Sequence, residues 1–377
     1  MAQTMTTQII TLDEKRNVTL TCYLQPAGGA FDYVTKRPGI LILPGGAYRY
    51  CSDRESDPVA FAYLKAGYQV FILRYSVAQF CGWPAPLMDY DQAMGMIREH
   101  AEEWNLYADK IAVLGFSAGG HLAAAAATMS VQRPNAALLG YAVTGNDVKG
   151  CSPTAPDCVP MVDDKTCPCF VFAARDDNVV PVMNSIRFLE ALTEKGIAYE
   201  SHIYARGGHG FSTAEQVIQN PNTAMSERVP NWVSDSIGWL KEVFGTYDGE
   251  GGMTDSLVKA HINGDYEAYL SADCTVAKLL SVPASRAILE PLLTSMQAGG
   301  SSANATAGST DSKAAGSESD TSKGAQEDSM VAGVDTQTAQ SMVLPMKLND
   351  LLRFAGAPEE AVAKLDAALR QIPNQEA

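Results

Sequence analysis

Short runs that are apolar at nearly every position recur along the first two thirds of the chain. Each is bounded by turn residues: Gly39 to Leu43, Gln69 to Leu73, Ile111 to Leu114, Ala137 to Ala142 and Cys169 to Ala173. A strand that is apolar on both faces is buried on both faces, as in a parallel sheet covered by helices. Val18 to Leu24 reads as a strand of alternating apolar residues, and Tyr199 to Tyr204 is a further strand candidate. Helical segments fall between these runs. Asp57-Pro58 is an N-cap followed by proline at the first helical position, and that helix should run to about Ala66 and stop at Gly67. Leu87 to Trp104 carries Met94, Ile97, Ala101 and Trp104 at helical spacing. Asn184 to Lys195 and Asn231 to Phe244 are two more. The alternation from about residue 39 to residue 244 predicts an α/β fold, a mostly parallel sheet with helices on both faces. Ligands then bind at the carboxyl ends of the strands.

The pattern changes after Gly245. Residues 1–248 read as one domain, with a hinge at Gly249 to Gly252. Asp255 to Leu293 looks mostly helical, with Val276, Leu279, Leu280, Ala287, Ile288 and Leu292 on one apolar face, interrupted or kinked by Pro283 and Pro291. Residues 298–341 hold Ser, Ala, Gly, Thr and Asp but no aromatic residue, Leu or Ile. They read as a disordered linker, since they bury too little apolar surface to offset the cost of ordering. Apolar periodicity returns from Val343 to Ile372, at Leu348, Leu351, Leu352, Ala361, Leu365 and Leu369. The expected appendage thus has two helical parts, residues 253–297 and 342–377. Short helices are marginal alone, so a partner surface, such as a second copy of the chain, is implied.

At 377 residues with net charge −15, the chain repels phosphate backbones and anionic surfaces, which argues against nucleic-acid and membrane partners. The N-terminal ten residues lack the basic and apolar regions of a signal peptide, and no apolar run approaches a membrane span; a cytoplasmic protein is expected. Four of the eight cysteines, Cys151, Cys158, Cys167 and Cys169, lie close together, but their spacing is irregular for zinc, and Cys169 begins a strand. They read as packing in and beside a loop, with no metal and no cofactor.

The chemistry is carried by Gly115-Phe116-Ser117-Ala118-Gly119, between the apolar run Ile111 to Leu114 and an alanine-rich run to Thr128. Strand, tight turn and helix in that order make a nucleophile elbow of the α/β-hydrolase type. Such a turn exposes the serine hydroxyl at the end of a strand. It also aims the free N–H groups of the following helix at the same spot. A serine alcohol needs a base, and the base an orienting acid, both downstream of the serine in this fold. Of five histidines, His100 lies before the elbow, His121 one turn into its helix, His202 inside a strand and His261 in the tail. His209, in Gly207-Gly208-His209-Gly210, is left as the base. The acid should follow the strand ending at Ala173; the Asp-x-x-Val-Pro pattern selects Asp177, with Asp176 as the alternative. Pro44-Gly45-Gly46-Ala47-Tyr48 follows an early strand and suits an oxyanion hole built from Gly46, Ala47 and the N–H of Ala118. Tyr48, Arg49, Arg74, Tyr75, Trp83 and Phe211 flank strand ends and are candidates to line the pocket.

With these residues placed, residues 8–246 resemble the bacterial α/β-hydrolase family that includes acetyl-xylan esterases and related small carbohydrate esterases. The matching segments are Leu43 to Tyr48, Asp53-Arg54-Glu55, Phe71 to Tyr75, Gly115 to Leu122, Asp177-x-x-Val180-Pro181 and Gly207 to Gly210. The resemblance implies hydrolysis of short acyl esters, often acetyl groups on sugars, by Ser117, Asp177 and His209 without a cofactor. Ala47 stands where the family more often has glycine, and the cysteine-rich loop sits where substrate contacts are expected. The tail resembles small helical appendages of other bacterial carbohydrate-active enzymes. Two other readings remain: a dipeptidyl-peptidase-like enzyme, which shares the triad but usually carries a gating domain, and an interaction scaffold with a vestigial site.

Overall fold

The computed structural model of the protein describes residues 4–219, 222–302 and 341–374. Its chain divides into two compact units, residues 1–262 and 263–377. The first unit is built on an eight-stranded sheet in the order β1-β2-β4-β3-β5-β6-β7-β8. The strands are β1 (Thr6–Asp13), β2 (Val18–Leu24), β3 (Arg37–Leu43), β4 (Gln69–Arg74), β5 (Leu106–Phe116), β6 (Ala136–Gly140), β7 (Cys169–Ala174) and β8 (Tyr199–Tyr204). β1 and β2 are antiparallel to their neighbours, whereas β4, β3 and β5 to β8 pair in parallel.

Each central strand feeds two cores, as its unbroken apolar run requires. Leu41, Leu43, Val113 and Val171 point to one face, under α2 (Ala85–Glu99), α3 (Ser117–Met129) and α4 (Met183–Glu194). Ile40, Ile42, Ala112, Leu114, Phe170 and Phe172 point to the other, under α1 (Asp57–Lys65) and α5 (Asn231–Phe244). On that second face Trp232 stacks on Phe172 at 4.2 Å. From β3 the chain runs outward to β4 and then returns to β5 on the other flank of β3. The order therefore reverses at β3 and β5, and a crevice opens beyond their carboxyl ends. Both the segment after Leu43 and Ser117 lie there.

Several boundaries differ from the sequence expectation. β1, the antiparallel edge strand, is absent from it; no residue of β1 is fully buried, Ile9 is exposed and only Ile10 and Leu12 pack against the core, so no unbroken apolar run marks it. Helix α1 begins at Asp57 itself, with Ser56 in the capping position. Asp57 instead accepts a hydrogen bond from the Tyr23 hydroxyl at 2.6 Å. Helix α2 ends at Glu99, and His100 to Trp104 turn back into β5, with the His100 ring stacked on Trp104.

The second unit has its own core of Leu270, Cys274, Val276, Leu279, Leu289, Leu348, Leu351, Leu352 and Leu369. Its helices are α6 (Val276–Ser281), α7 (Pro283–Ser302), α8 (Leu348–Phe354) and α9 (Glu359–Leu369). Residues 255–274 are not helical, contrary to the expectation; they form turns and isolated bridges around Asn263-Gly264 and Asp265. The Asp265 N–H donates to Asn263 Oδ1 at 3.1 Å, a local bond that competes with helix, and the Asp265 carboxylate accepts from the N–H and hydroxyl of Thr275, ten residues on. Pro283 opens α7 rather than breaking a helix, and Pro291 lies within it. α7 runs through Ser302, five residues into the stretch read as a linker, whose residues 303–340 lie outside the described residues.

Candidate active site

The elbow is forced by close backbone approach. A Cβ on Gly115 would stand 2.1 Å from the carbonyl oxygen of Gly119, and one on Gly119 would stand 2.1 Å from that of Leu43. Only hydrogen fits at either position, so α3 can pack directly against the end of β3. Its small side chains, Ala118 to Ala127 with Leu122, are buried throughout. Ser117 carries the resulting strain: it sits at φ 52°, a left-handed conformation that costs a residue with a side chain about 1–2 kcal/mol.

That strain presents the hydroxyl to a histidine. Ser117 Oγ lies 2.9 Å from His209 Nε2, and His209 Nδ1 lies 2.7 Å from Asp177 Oδ2. An Nδ1–H aimed at the carboxylate leaves Nε2 with a free lone pair facing the serine. The Asp177 side chain is 1% exposed. Its other oxygen accepts from the N–H groups of Val179 and Val180, both at 2.9 Å, so the buried charge is fully bonded. Asp176, exposed on the same loop, points elsewhere: its Oδ1 accepts from the N–H groups of Gly207 at 2.9 Å and Gly208 at 3.0 Å. Asp177 thus holds the ring of His209 and Asp176 holds its loop.

The loop after β3 passes through three consecutive left-handed residues, Gly46 (φ 131°), Ala47 (φ 54°) and Tyr48 (φ 56°). A Cβ on Gly46 would stand 2.1 Å from the Tyr50 carbonyl oxygen. The N–H groups of Gly46 and Ala47 have no acceptor among the described residues, while that of Gly45 donates to Glu55 Oε2 at 2.7 Å. Ala118 is the second residue of α3, so its N–H also lacks an intrahelical partner. Ala47 thus holds a left-handed φ that glycine adopts without steric cost.

Three of the expected pocket residues are instead buried supports. Tyr48, Tyr75 and Phe211 are each 1% exposed or less. The Tyr75 hydroxyl donates to the Pro44 carbonyl at 2.6 Å, fixing the start of the loop. The Tyr48 hydroxyl lies 2.7 Å from His121 Nδ1, and His121 Nε2 lies 2.8 Å from the Pro156 carbonyl, which can only accept. His121 therefore carries its proton on Nε2 and accepts from Tyr48; burial pushes its pKa down to about 4, so it stays neutral on the buried side of α3. Phe211 packs on Tyr141 with ring centroids 4.7 Å apart. Arg49 is exposed, Arg74 and Trp83 are half-buried, and Trp83 stands edge-on to His121 at 5.4 Å. Cys158, Cys167 and Cys169 are buried in the core and Cys151 packs against it, all as free thiols. Among the described residues no group of three or more His, Cys, Asp or Glu is placed to hold a metal ion. No helix of the described residues is long and apolar enough to cross a membrane.

Family models match two overlapping stretches: that described as BD-FAE over residues 32–136, and the dienelactone hydrolase family over residues 87–244. In the crystal structure of MGS-M1, an α/β-hydrolase enzyme from a Medee basin deep-sea metagenome library, 38% of residues are identical. The match covers 64% of this chain and 99% of that one, with a TM-score of 0.61. The chain belongs to the α/β-hydrolases. Among curated relatives of this α/β-hydrolase, endo-1,4-β-xylanase B of Butyrivibrio fibrisolvens is 31% identical over 210 residues, 48% of this chain and 33% of that protein. An acetylxylan esterase of Xylanibacter ruminicola is 28% identical over 237 residues, 56% of this chain and 47% of that protein. The chain thus spans a third to about half of the length of these two curated relatives.

Two residues beside the triad escaped sequence reasoning as contributors to the site, Glu55 and Tyr141. Glu55 is 4% exposed and Tyr141 1%, and the Tyr141 hydroxyl donates to Glu55 Oε1 at 2.6 Å. Tyr141 holds φ 34° just beyond β6 and sets its ring edge-on to His209 at 5.1 Å. The only available signal was Glu55 within Asp53-Arg54-Glu55, which marks position but not role.

Proposed function

We propose that this α/β-hydrolase is a serine carboxylic-ester hydrolase acting on short acyl esters, foremost acetyl groups on xylo-oligosaccharides or other sugars. The observation that carries the reading is the unbroken relay from Asp177 through His209 to Ser117, at 2.7 and 2.9 Å. His209 takes the proton of Ser117 as its oxygen attacks the ester carbonyl. Asp177 keeps the imidazole in the required tautomer and stabilises its cationic form. The oxyanion is received by the N–H of Ala118 with those of Gly46 and Ala47, donors held in place before the reaction begins. The alcohol departs with the proton from His209, and water repeats the sequence on the acyl-enzyme.

The sugar-ester part of the reading is supported by the names of the relatives, an acetylxylan esterase and a xylanase. The test is a panel of acetylated xylo-oligosaccharides, other acetylated sugars and aryl acetates, with released acetate measured for the protein and for Ser117→Ala. Turnover is expected in the first and at least a thousandfold less in the second, with an unchanged unfolding transition. Preference for aminoacyl amides would move the assignment to a peptidase, and retained turnover in Ser117→Ala would remove the triad.

A further inference from the structure

Four protein segments meet at one buried carboxyl. Glu55 sits in the 3-10 turn Asp53–Glu55, outside the triad, and both of its oxygens are engaged. Oε2 accepts the Gly45 N–H at 2.7 Å, from the loop that carries the proposed oxyanion donors one and two residues later. Oε1 lies 2.6 Å from the Tyr141 hydroxyl, which also receives the Ser212 N–H at 3.1 Å. Ser212 lies three residues beyond His209. The direction of the chain is set by its ends, since both backbone N–H groups can only donate. Tyr141 accepts from Ser212 and therefore spends its single proton on Glu55, so the carboxyl accepts on both sides. A carboxylate meets that demand; a carboxylic acid would add a proton with no acceptor in the network. The same turn grips the histidine loop twice more, through Arg54 Nη2 to the Gly210 carbonyl and the Ser212 hydroxyl to the Arg54 carbonyl.

We propose that Glu55 is a charged positioning residue that ties the oxyanion loop and the histidine loop together through Gly45 and Tyr141, and that its negative charge stabilises the imidazolium that forms on His209 as Ser117 attacks. The proposal rests on the serine-esterase reading and adds a residue to it. Space supports it: a Cβ on Gly45 would stand 2.8 Å from Glu55 Oε2, so the carboxyl can reach that N–H only past glycine. Backbone strain supports it too. Ala47, Tyr48, Ser117, Tyr141 and Ser212 all hold positive φ, and such strain persists only where surrounding bonds over-determine it. A buried anion costs free energy unless paired or fully bonded, and burial does push the Glu55 carboxyl upward. Hydrogen bonds from Tyr141 and Gly45 and the charges of His209 and Arg54 offset part of that rise, so the carboxyl stays above its ordinary value while both of its oxygens remain bonded. Among the described residues, the charged and titratable groups around His209 are Asp177 at Nδ1, the Tyr141 ring at 5.1 Å with Glu55 behind it, Asp176 at the N–H groups of Gly207 and Gly208, and Arg54 at Gly210.

The test compares Glu55→Gln and Tyr141→Phe with the unaltered protein by two readouts. One is kcat and KM on an aryl acetate across pH. The other is the rate at which diethyl p-nitrophenyl phosphate blocks Ser117, read as p-nitrophenolate release. That second rate depends on an activated serine but needs no turnover. Glu55→Gln keeps the shape and loses the charge. We expect kcat and the phosphorylation rate to fall about tenfold with KM little changed. We also expect the acid limb of both profiles to move to lower pH by about half a unit, because removing a nearby negative charge makes the imidazolium easier to deprotonate. A purely structural role for Glu55 would leave that limb in place. Unchanged rates and an unmoved limb in a folded Glu55→Gln protein overturn the proposal while the esterase reading stands. If Glu55→Gln does not fold, Tyr141→Phe decides alone, and an unchanged phosphorylation rate there overturns the proposal. If the unaltered protein cleaves no acyl ester yet Ser117 is phosphorylated, the function assignment fails and the positioning claim is still read from the second rate. A Ser117 that never reacts overturns both.

Discussion

The two loops beside Ser117, residues 175–181 with the proposed acid and residues 44–50 with the proposed oxyanion donors, are held in different ways. The acid loop is largely self-contained. Asp177 Oδ1 takes the N–H groups of Val179 and Val180, two and three residues ahead, and the Asn184 N–H closes on the Pro181 carbonyl. The oxyanion loop has only short bonds of its own, such as Arg49 N–H to the Gly46 carbonyl, and is otherwise suspended from distant residues. Glu55 holds Gly45, Tyr75 holds Pro44, His121 holds Tyr48, and the Ala78 N–H donates to the Tyr48 carbonyl. A loop that bonds to itself writes its geometry into a few adjacent residues. A loop bonded to others spreads its geometry over the chain. The first should fail through loss of one side chain, the second through any change that alters its backbone.

The largest effect is expected on the acid side. Asp177→Asn keeps the volume but presents an amide to His209 Nδ1, which favours the wrong imidazole tautomer. We expect kcat to fall by about ten thousandfold, with KM and the unfolding midpoint little changed. Steady-state kinetics on an aryl acetate reads it. A loss of less than tenfold would mean that the relay at 2.7 Å is not used, and the contrast between the loops would lose its first term.

On the oxyanion side the matching change is made in the backbone. Gly46→Ala places a methyl group where the Tyr50 carbonyl oxygen would stand 2.1 Å away, at φ 131°. The loop must shift, and the N–H groups of Gly46 and Ala47 shift with it. We expect kcat to fall by about a hundredfold to a thousandfold, the usual cost of one oxyanion donor. An unchanged kcat would show that the donors lie elsewhere, on α3 alone.

This contrast also explains what could be read before the structure was known. The parallel core strands were legible because burial on both faces leaves an unbroken apolar run, as in Ile40 to Leu43. Gly115 and Gly119 were legible because close approach admits no other residue. Edge strand β1 was not, since its exposed positions need no pattern. The helix expected over residues 255–274 is absent because apolar content alone does not reveal side-chain bonds such as Asp265 N–H to Asn263 and Thr275 to Asp265. Within the site, the residues that touch the reaction sit in glycine-rich words that a turn requires. Those that hold the site, Glu55, Tyr141, Tyr75 and Tyr48, are joined to it across 10 to 86 residues of sequence, and no local spacing reveals such a bond. Tyr48 and Tyr75 were read as pocket walls for that reason: position near a strand end does not say which way a ring points.

The smallest expected effect probes a second carboxylate through which the acid loop reaches the histidine loop. Asp176 is exposed, yet its Oδ1 takes two N–H groups of the histidine loop, Gly207 at 2.9 Å and Gly208 at 3.0 Å. Exposed hydrogen bonds to a charged acceptor contribute modestly, and Arg54 and Gln219 also bond to the Gly210 carbonyl, so the loop keeps other anchors. Asp176→Ala should therefore lower kcat/KM by about threefold to tenfold, by letting His209 sample positions out of reach of Ser117. Asp176→Asn retains an acceptor oxygen and should recover most of that loss, whereas Asp177→Asn recovers nothing. The paired comparison, run on the same aryl acetate, separates an aspartate that positions a loop from one that orients a ring. Equal losses in Asp176→Ala and Asp176→Asn would mean that the negative charge matters rather than the two bonds. Asp176 would then act on the imidazolium through space, and the acid loop would owe its function to both of its carboxylates.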